Sequence, residues 1–341
     1  MAILQLFCTV SDLIADKQAP GVDEARLFQA IREASDFLQK EIGWFVPVTL
    51  TRKYNGRGRD TLLTDPFLAI TTIVDDDTTL TTDDYIIKPD DGFWSNGPYG
   101  RLIVHPESEQ LLAWCDEENG VVITGPWGLY MRSGLIGATV ADASEQSSSQ
   151  TTLKVSDGSL VSPGMTLLIG TEQEAVTGWG SPTTGVTTLN GAVAAADDTI
   201  VVTNGALLSV GEIIRVDFEQ MKIKDKNTHT LEVTRGWNGT RRVSHTTSTN
   251  VDVYRTVNVE RGINGTTAAA HANAVAISRY FAPDDVQFLA KEIATLIANK
   301  ALSGYQGRTG DPQTGVVFYN DAFPQYDIQR VKANYILPRF V

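Results

Sequence analysis

The chain has 341 residues, 42% of them hydrophobic and 20% charged, and a formal charge of −13. That is the composition of a folded soluble protein with room for two or three domains, and its acidic balance excludes broad phosphate-backbone binding, which needs clustered Lys and Arg. No apolar run approaches the roughly 18–20 residues of a membrane span. The start MAILQLFCTVSDLIADK lacks the basic region of a secretory signal, and Cys8 and Cys115 are too few for a disulfide framework or a zinc site. Two buried, reduced thiols in a cytoplasmic setting are expected.

The first predicted element is a helix over 23–42. Leu27, Phe28, Ile31, Leu38 and Ile42 recur at three- and four-residue steps, with Asp23 to cap the start and Gly43 to end it. The period then changes. VTLTRKYNG (48–56), LAITTIV (68–74), DYIIKP (84–89), RLIVH (101–105) and GVVITG (120–125) alternate apolar and polar residues between Gly, Asp and Pro, the pattern of strands and turns. DGFWSNGPYG (91–100) reads as a loop, and GPWGLY (125–130) places an aromatic at a strand end, where it is expected to pack on the helix. From about residue 138 the chain turns small, polar and Ser-rich, as a domain entry does, and no helical pattern follows until PDDVQFLAKEIATLIANKALSG (283–304). There Val286, Leu289, Ile293, Leu296 and Ile297 form the stripe, and Asp284 with Gln287 suggests a capping box. A last helix is expected over 326–335, followed by the apolar tail ILPRFV.

The middle of the chain repeats itself twice. VTRGWNGTRRVSH (233–245) and VERGINGTTAAAH (259–271) share Val, Arg, Gly, Asn, Gly, Thr and His at an offset of 26 residues, so that Arg235, Gly236, Asn238, Gly239 and His245 match Arg261, Gly262, Asn264, Gly265 and His271. Upstream, residues 152–177 match 199–224 at an offset of 47, with Glu172/Glu219 and Gln173/Gln220 among the identities. A tandem duplication gives one offset; two unequal offsets in this direction imply nesting, although a simple tandem with one degenerate half stays open. The outer module is expected over 151–186 and 256–280, and the inner one over 187–254. The R-G-x-N-G-T stretch itself reads as a tight turn after a strand, with Gly and Asn-Gly at positive φ and Arg packing or pairing over the turn.

Catalytic chemistry finds little footing. His245 and His271 are repeat-equivalent and so mark a structural position, and His105 and His229 lack companions at ligand spacing. The acidic clusters 75–77, 83–84 and 90–91 do not follow a calcium-loop pattern and read as solvated turns. Arg52, Lys53, Arg57 and Arg59 read as a solvated hairpin tip, with an acidic patch on a partner or a transient phosphate contact as the alternative. Asn238-Gly239-Thr240 and Asn264-Gly265-Thr266 match a glycosylation sequon in form only. No catalytic, cofactor or metal residues are assigned.

The outer segments resemble the head–tail connector (adaptor) proteins of tailed bacteriophages. The likeness rests on the order of parts: the helix FQAIREASDFLQKEIG, the strand and turn VTLTRKYNGRGRDTLL, then DDYIIKPD, PYGRLIV and VVITGPWGLY, and finally a helix opened by P-x-D-V and a C-terminal helix with an apolar tail. It covers roughly 5–137 and 281–341. The middle is similar to β-modules of phage structural proteins with an "EQM" or "EQE" stretch followed by "LEVTRGWNGT…H". The expected fold class is therefore α+β: a helical/β connector core (1–137 and 281–341) interrupted by an all-β region (138–280) of two repeated, nested modules. The resemblance implies a homo-oligomeric ring, often of twelve copies, in the neck of the virion and in the host cytoplasm during assembly. It would dock beneath the portal protein, pass DNA without binding it specifically, and meet a stopper, tail or neck protein below. By position, Tyr335, Ile336, Leu337, Pro338, Arg339, Phe340 and Val341 would enter the portal, and an apolar tail left in water is a liability on any account. Two other classes compete: a surface- or glycan-binding virion protein using Trp179 and Trp237 as an aromatic platform, and a tail-associated hydrolase, for which no paired carboxylates in a cleft are evident.

Overall fold

Residues 3–15, 23–89, 98–302, 308–310, 317–319 and 324–335 are described by the computed structural model. A short α1 (Val10–Ala15) precedes α2 (Glu24–Glu41). The Asp23 carboxylate accepts the Arg26 N–H at 2.8 Å, satisfying an otherwise orphaned donor at the helix start. Leu27, Ile31, Ala34 and Leu38 are fully buried along one face of α2. Each large one among them stabilises by about 1.5–3 kcal/mol relative to exposure. They pack against Val286, Ala290, Ile293 and Ala294 of α3 (Asp284–Leu302), and Ile328 and Val331 of α4 (Gln325–Asn334) complete this helical layer. A small hairpin lies between α3 and α4, Arg308–Gly310 with Val317–Tyr319.

Between α2 and the repeats, seven strands form an antiparallel half-barrel: β1 (Val48–Tyr54), β2 (Thr61–Phe67), β3 (Thr72–Asp75), β4 (Thr78–Leu80), β5 (Tyr85–Lys88), β6 (Tyr99–Val104) and β7 (Val121–Trp127). β7 is the spine. It pairs with β1 along one side and with β3 and then β2 along the other. Its alternating burial puts Val121, Ile123 and Trp127 in a core shared with Phe67, Leu102 and Trp114. Trp127 therefore does not pack on the helix: its ring lies against Phe67 and Tyr54, and its indole N–H donates to the Leu50 carbonyl at 2.9 Å. Leu129 and Tyr130, just beyond, reach the helical layer instead.

The repeats form two closed barrels. The chain runs through β8 (Ser133–Thr139), β9 (Glu145–Gln146), β10 (Thr152–Lys154), β11 (Thr166–Ile169) and β12 (Glu172–Trp179) of the first. It then builds the second from β13 (Thr183–Thr188), β14 (Thr199–Val201), β15 (Ile213–Val216), β16 (Glu219–Asn227), β17 (Thr230–Arg235) and β18 (Asn250–Val253). It returns to the first with β19 (Thr256–Glu260), β20 (His271–Ala272) and β21 (Ala276–Tyr280). The six-stranded orders are β10-β19-β12-β11-β21-β8 and β14-β17-β16-β15-β18-β13, strand for strand the same arrangement. Each sheet closes on itself where its end strands meet, Val140 opposite Val155 and Leu189 opposite Val202. Closure leaves no free sheet edge.

The fold class expected from sequence is overturned. The chain is mostly β, built from antiparallel sheets with four α-helices among the described residues, and is not a helical core interrupted by an insertion. The strands after α2 do not merely decorate the helix; they enclose a hydrophobic core of their own. Two division points also move. β8 crosses 137/138 and belongs to the outer barrel, and β13 crosses 186/187 and belongs to the inner one. Only Thr139 and Thr188 are identical when these two strands are superposed by their closing residues, so the repeat was invisible there.

Candidate functional site

In each barrel a two-residue hairpin tip, Gly170-Thr171 or Asp217-Phe218, is followed by a glutamate, Glu172 or Glu219, that closes the hairpin opposite Ile169 or Val216. Both glutamates are wholly buried. A buried carboxylate needs partners, and the R-G-x-N-G-T segment supplies them. Arg235 Nε and Nη2 meet Glu219 Oε1 and Oε2, each at 2.7 Å, in a bidentate pair. Its remaining N–H groups donate to the carbonyls of Ala194 (3.2 Å), Asp197 (2.8 Å) and Val243 (2.7 Å). All five guanidinium donors are used. Arg261 repeats this on Glu172 at 2.7 Å for both contacts, and on the carbonyls of Ser147 (2.9 Å), Gln150 (2.9 Å) and Ala269 (2.6 Å).

The glutamates in turn accept main-chain N–H groups from the turn. Gly236 and Val243 donate to Glu219 at 3.0 and 3.1 Å, and Gly262 and Ala269 to Glu172 at 3.0 and 2.8 Å. The histidines close the set: His245 Nε2 lies 3.0 Å from Glu219, and His271 Nε2 lies 2.9 Å from Glu172. Burial alone would raise the Glu219 pKa, but the hydrogen bonds from Arg235, Val243 and His245 outweigh it and hold it at about 2. Glu172 is lowered likewise, against its burial, by Arg261 and by the Ala269 and Gly262 N–H groups. The turn itself needs three left-handed residues in a short span, with φ of 65°, 53° and 73° at Gly236, Asn238 and Gly239, and 58°, 53° and 80° at Gly262, Asn264 and Gly265. A Cβ on Gly236 would stand 2.9 Å from the Thr240 carbonyl oxygen.

The clasps differ in their second acid. In the inner barrel it is Asp217 of the hairpin tip, 2.8 Å from His245 Nδ1. In the outer barrel that position is Gly170, and the acid is Glu174 on β12, 3.1 Å from Arg261 and 3.4 Å from His271. Burial pushes the Glu174 pKa up to about 7, and Glu172 and Asp142 add to this against Arg261 and Gln146. Glu174 Oε1 and Gln146 Oε1 are buried without hydrogen-bond partners. Glu172, Glu174 and His271 place their ligand atoms within 4.8 Å of one another, the spacing of a metal site. The donor set argues otherwise. Glu172 Oε2 already accepts from Arg261, Ala269 and His271, and a guanidinium stands where a metal ion's charge would be needed. The resident cation of each clasp is arginine.

A second constellation joins the barrels to the helices. Glu24, the first residue of α2, is buried and receives the indole N–H of Trp237 at 3.0 Å and of Trp179 at 2.5 Å. Its own N–H donates to Asn238 Oδ1 at 3.2 Å. Lys222 Nζ lies 4.8 Å above the Trp237 ring, and Tyr254 packs edge-on against Trp179. Desolvation raises the Glu24 pKa despite the two indoles and Lys222. The two tryptophans that the competing glycan-binding reading would use as a platform thus direct their polar groups to the protein itself.

The remaining sequence candidates scatter. His105 Nδ1 accepts the Glu107 N–H and His229 Nδ1 the Gly205 N–H, so all four histidines have internal partners. Arg52 pairs with Asp65 and lies between the rings of Trp44 and Trp127, at 5.4 and 5.0 Å, and so is no free basic tip. Asp75 and Asp84 are buried rather than solvated: Asp75 accepts the Cys115 N–H, and Asp84 accepts from Thr81 and Ser108. Tyr335 ends α4 with its hydroxyl donating to Asp285 at 2.7 Å and its ring 4.8 Å from Phe45. Ile336, Leu337, Pro338, Arg339, Phe340 and Val341 lie outside the described residues. Sequence reasoning aligned Glu172, Glu219, Gln173 and Gln220 across the repeat without a role, although a buried Arg in a paired turn calls for an acid at an equally repeated position. It missed Glu24, Glu174, Gln146 and Asp217, which do not repeat. Comparison with protein-family models, with curated proteins and with solved structures gave no match for this chain.

Proposed function

We propose that the chain is a virion structural protein, one subunit of an adaptor ring between the portal and the tail or neck proteins, acting by binding and shape rather than by turnover. The observation that supports this best is the fate of the chemistry-bearing side chains. The repeated Glu, Arg and His are consumed in clasps that stiffen two turns, and Trp179 and Trp237 are consumed on Glu24. A cavity lined by Cys8, Asp12, Arg279 and Gln287 has room for about one water molecule, too little for a substrate. The connector reading itself comes from the order of sequence parts. Tyr335, the last described residue before the apolar tail, is pinned to Asp285 and Phe45. The apolar sequence of 336–341 suits insertion into a groove of the portal, and an acidic wall would let DNA pass without adhesion. Mixing the full chain with the portal of the same genome tests the reading: co-migration that disappears on deletion of 336–341 supports it, and no complex with or without the tail removes it.

A further inference from the structure

Residues 3–9 run through the molecule without joining any sheet. Their main chain is read by side chains and loops. The Leu4 N–H donates to Asn264 Oδ1 at 2.9 Å, and Asn264 Nδ2 donates back to the Leu4 carbonyl at 3.0 Å. The Phe7 N–H goes to Ser35 Oγ at 3.2 Å, and those of Val10 and Ser11 go to Pro163 O at 2.9 Å and Ser162 Oγ at 3.0 Å. Gln5 Oε1 accepts the Phe45 and Val46 N–H groups at 3.1 and 2.9 Å. Leu4, Leu6 and Phe7 are buried in the helical layer. A segment fixed in this way is bound as a peptide ligand is, through its own peptide groups and apolar pockets.

The receptor is pre-oriented. Asn264 Nδ2 also donates to Gln173 Oε1 at 2.9 Å, and Gln173 Nε2 donates to the Pro47 carbonyl at 2.9 Å. The inner barrel keeps the same relay, Asn238 to Gln220 at 2.8 Å, and its Asn also accepts a main-chain N–H from the N-terminal region, that of Glu24. Two copies of one turn thus perform the same act on two parts of the chain 214 and 260 residues away. We propose that the R-G-x-N-G-T turn of the outer barrel is a main-chain receptor for an apolar peptide segment without regular structure, and that its ligand is residues 3–9 of this same chain, held together with the following α1 (Val10–Ala15) as a separable strap. The clasp of Glu172, Arg261 and His271 serves this receptor by fixing the left-handed turn that aims Asn264. The proposal does not depend on ring formation.

The test cuts the folded full-length chain at a protease site placed within residues 16–22. The strap stays bound through size-exclusion chromatography and exchanges with a labelled synthetic peptide of residues 1–15. The same peptide with an N-methyl group on Leu4, which removes the donor that Asn264 accepts and puts a methyl group in its place, competes about tenfold or more worse. An Asn264→Gly chain, whose turn still tolerates the left-handed backbone, no longer discriminates between the two peptides. Equal competition by both peptides on the unmodified chain overturns the proposal, and so does loss of the strap on cutting. The N-methyl comparison decides even if the Asn264→Gly chain does not fold.

Discussion

Glu219 and Glu172 hold the same place in two barrels and are both lowered, whereas Glu174, which only the outer barrel has, responds to pH in the opposite direction. Glu219, at about 2, lies below its unfolded value of 4.5. Its contribution is therefore fully present above pH 4.5 and is lost as pH falls toward 2. Glu219→Gln leaves Arg235 buried without its countercharge and is expected to cost about 3–5 kcal/mol in chemical denaturation at pH 7; a cost below about 1 kcal/mol contradicts the clasp. Glu174, raised to about 7, behaves the other way. Its contribution is present below pH 4.5 and disappears as pH rises through 7, on the order of 3 kcal/mol in all. The inner barrel shows how to remove this sensitivity, because Met221 and Val193 replace Glu174 and Gln146 there and Asp217 replaces Gly170. Gly170 is already left-handed, and a Cβ there meets nothing within 4 Å. The triple variant Gln146→Val, Gly170→Asp, Glu174→Met is expected to lose most of the fall in melting temperature between pH 5 and 8 and to be the more stable protein at pH 8. An unchanged pH slope rules out Glu174 as its source.

At the scale of elements, the repeat supplies its own control. Gly164 and Gly211 are equivalent, with φ of 96° and 92°, but a Cβ on Gly164 would stand 2.6 Å from the Cys8 carbonyl oxygen, whereas on Gly211 it meets only Ser159 Cβ at 3.3 Å. Alanine at either position pays the left-handed strain, about 1–2 kcal/mol. Gly164→Ala is expected to cost at least about 1 kcal/mol more by overpacking against the strap, and equal melting temperatures for the two variants refute that contact. Elements with strong periodicity were legible: α2 and α3 fall within a residue or two of the stripes that announced them. β8 and β13 were not, because barrel closure asks only for apolar residues at one register and tolerates nearly any sequence elsewhere. The strap was illegible for a related reason. ILQLF (3–7) has no period because its partners are Asn264, Ser35 and the Val46 main chain, scattered along the sequence. The R-G-x-N-G-T turn was legible as a turn, since its glycines have few other uses. Its purpose depended on Glu172 and Glu219, which identity alone marked but did not explain. The helical/β core failed as a fold class because the alternating segments were grouped with the helices in one core when they enclose an interior of their own.

For the whole molecule, Glu24 is where the helical layer and both barrels meet, through Trp179 of one and Trp237 of the other. Glu24→Ala frees both indoles and is expected to shift tryptophan emission to longer wavelength while far-ultraviolet circular dichroism stays the same. Unchanged emission would mean that the carboxylate does not hold the barrels. Beyond the single chain, a subunit of an adaptor ring would differ from a monomeric protein first of all in copy number. Light scattering of the purified full-length chain, alone and with the portal of the same genome, measures it directly. A mass near a dozen copies, reached alone or on the portal, is the result expected of the proposed ring subunit; a monomer at every concentration that ignores the portal contradicts the proposal.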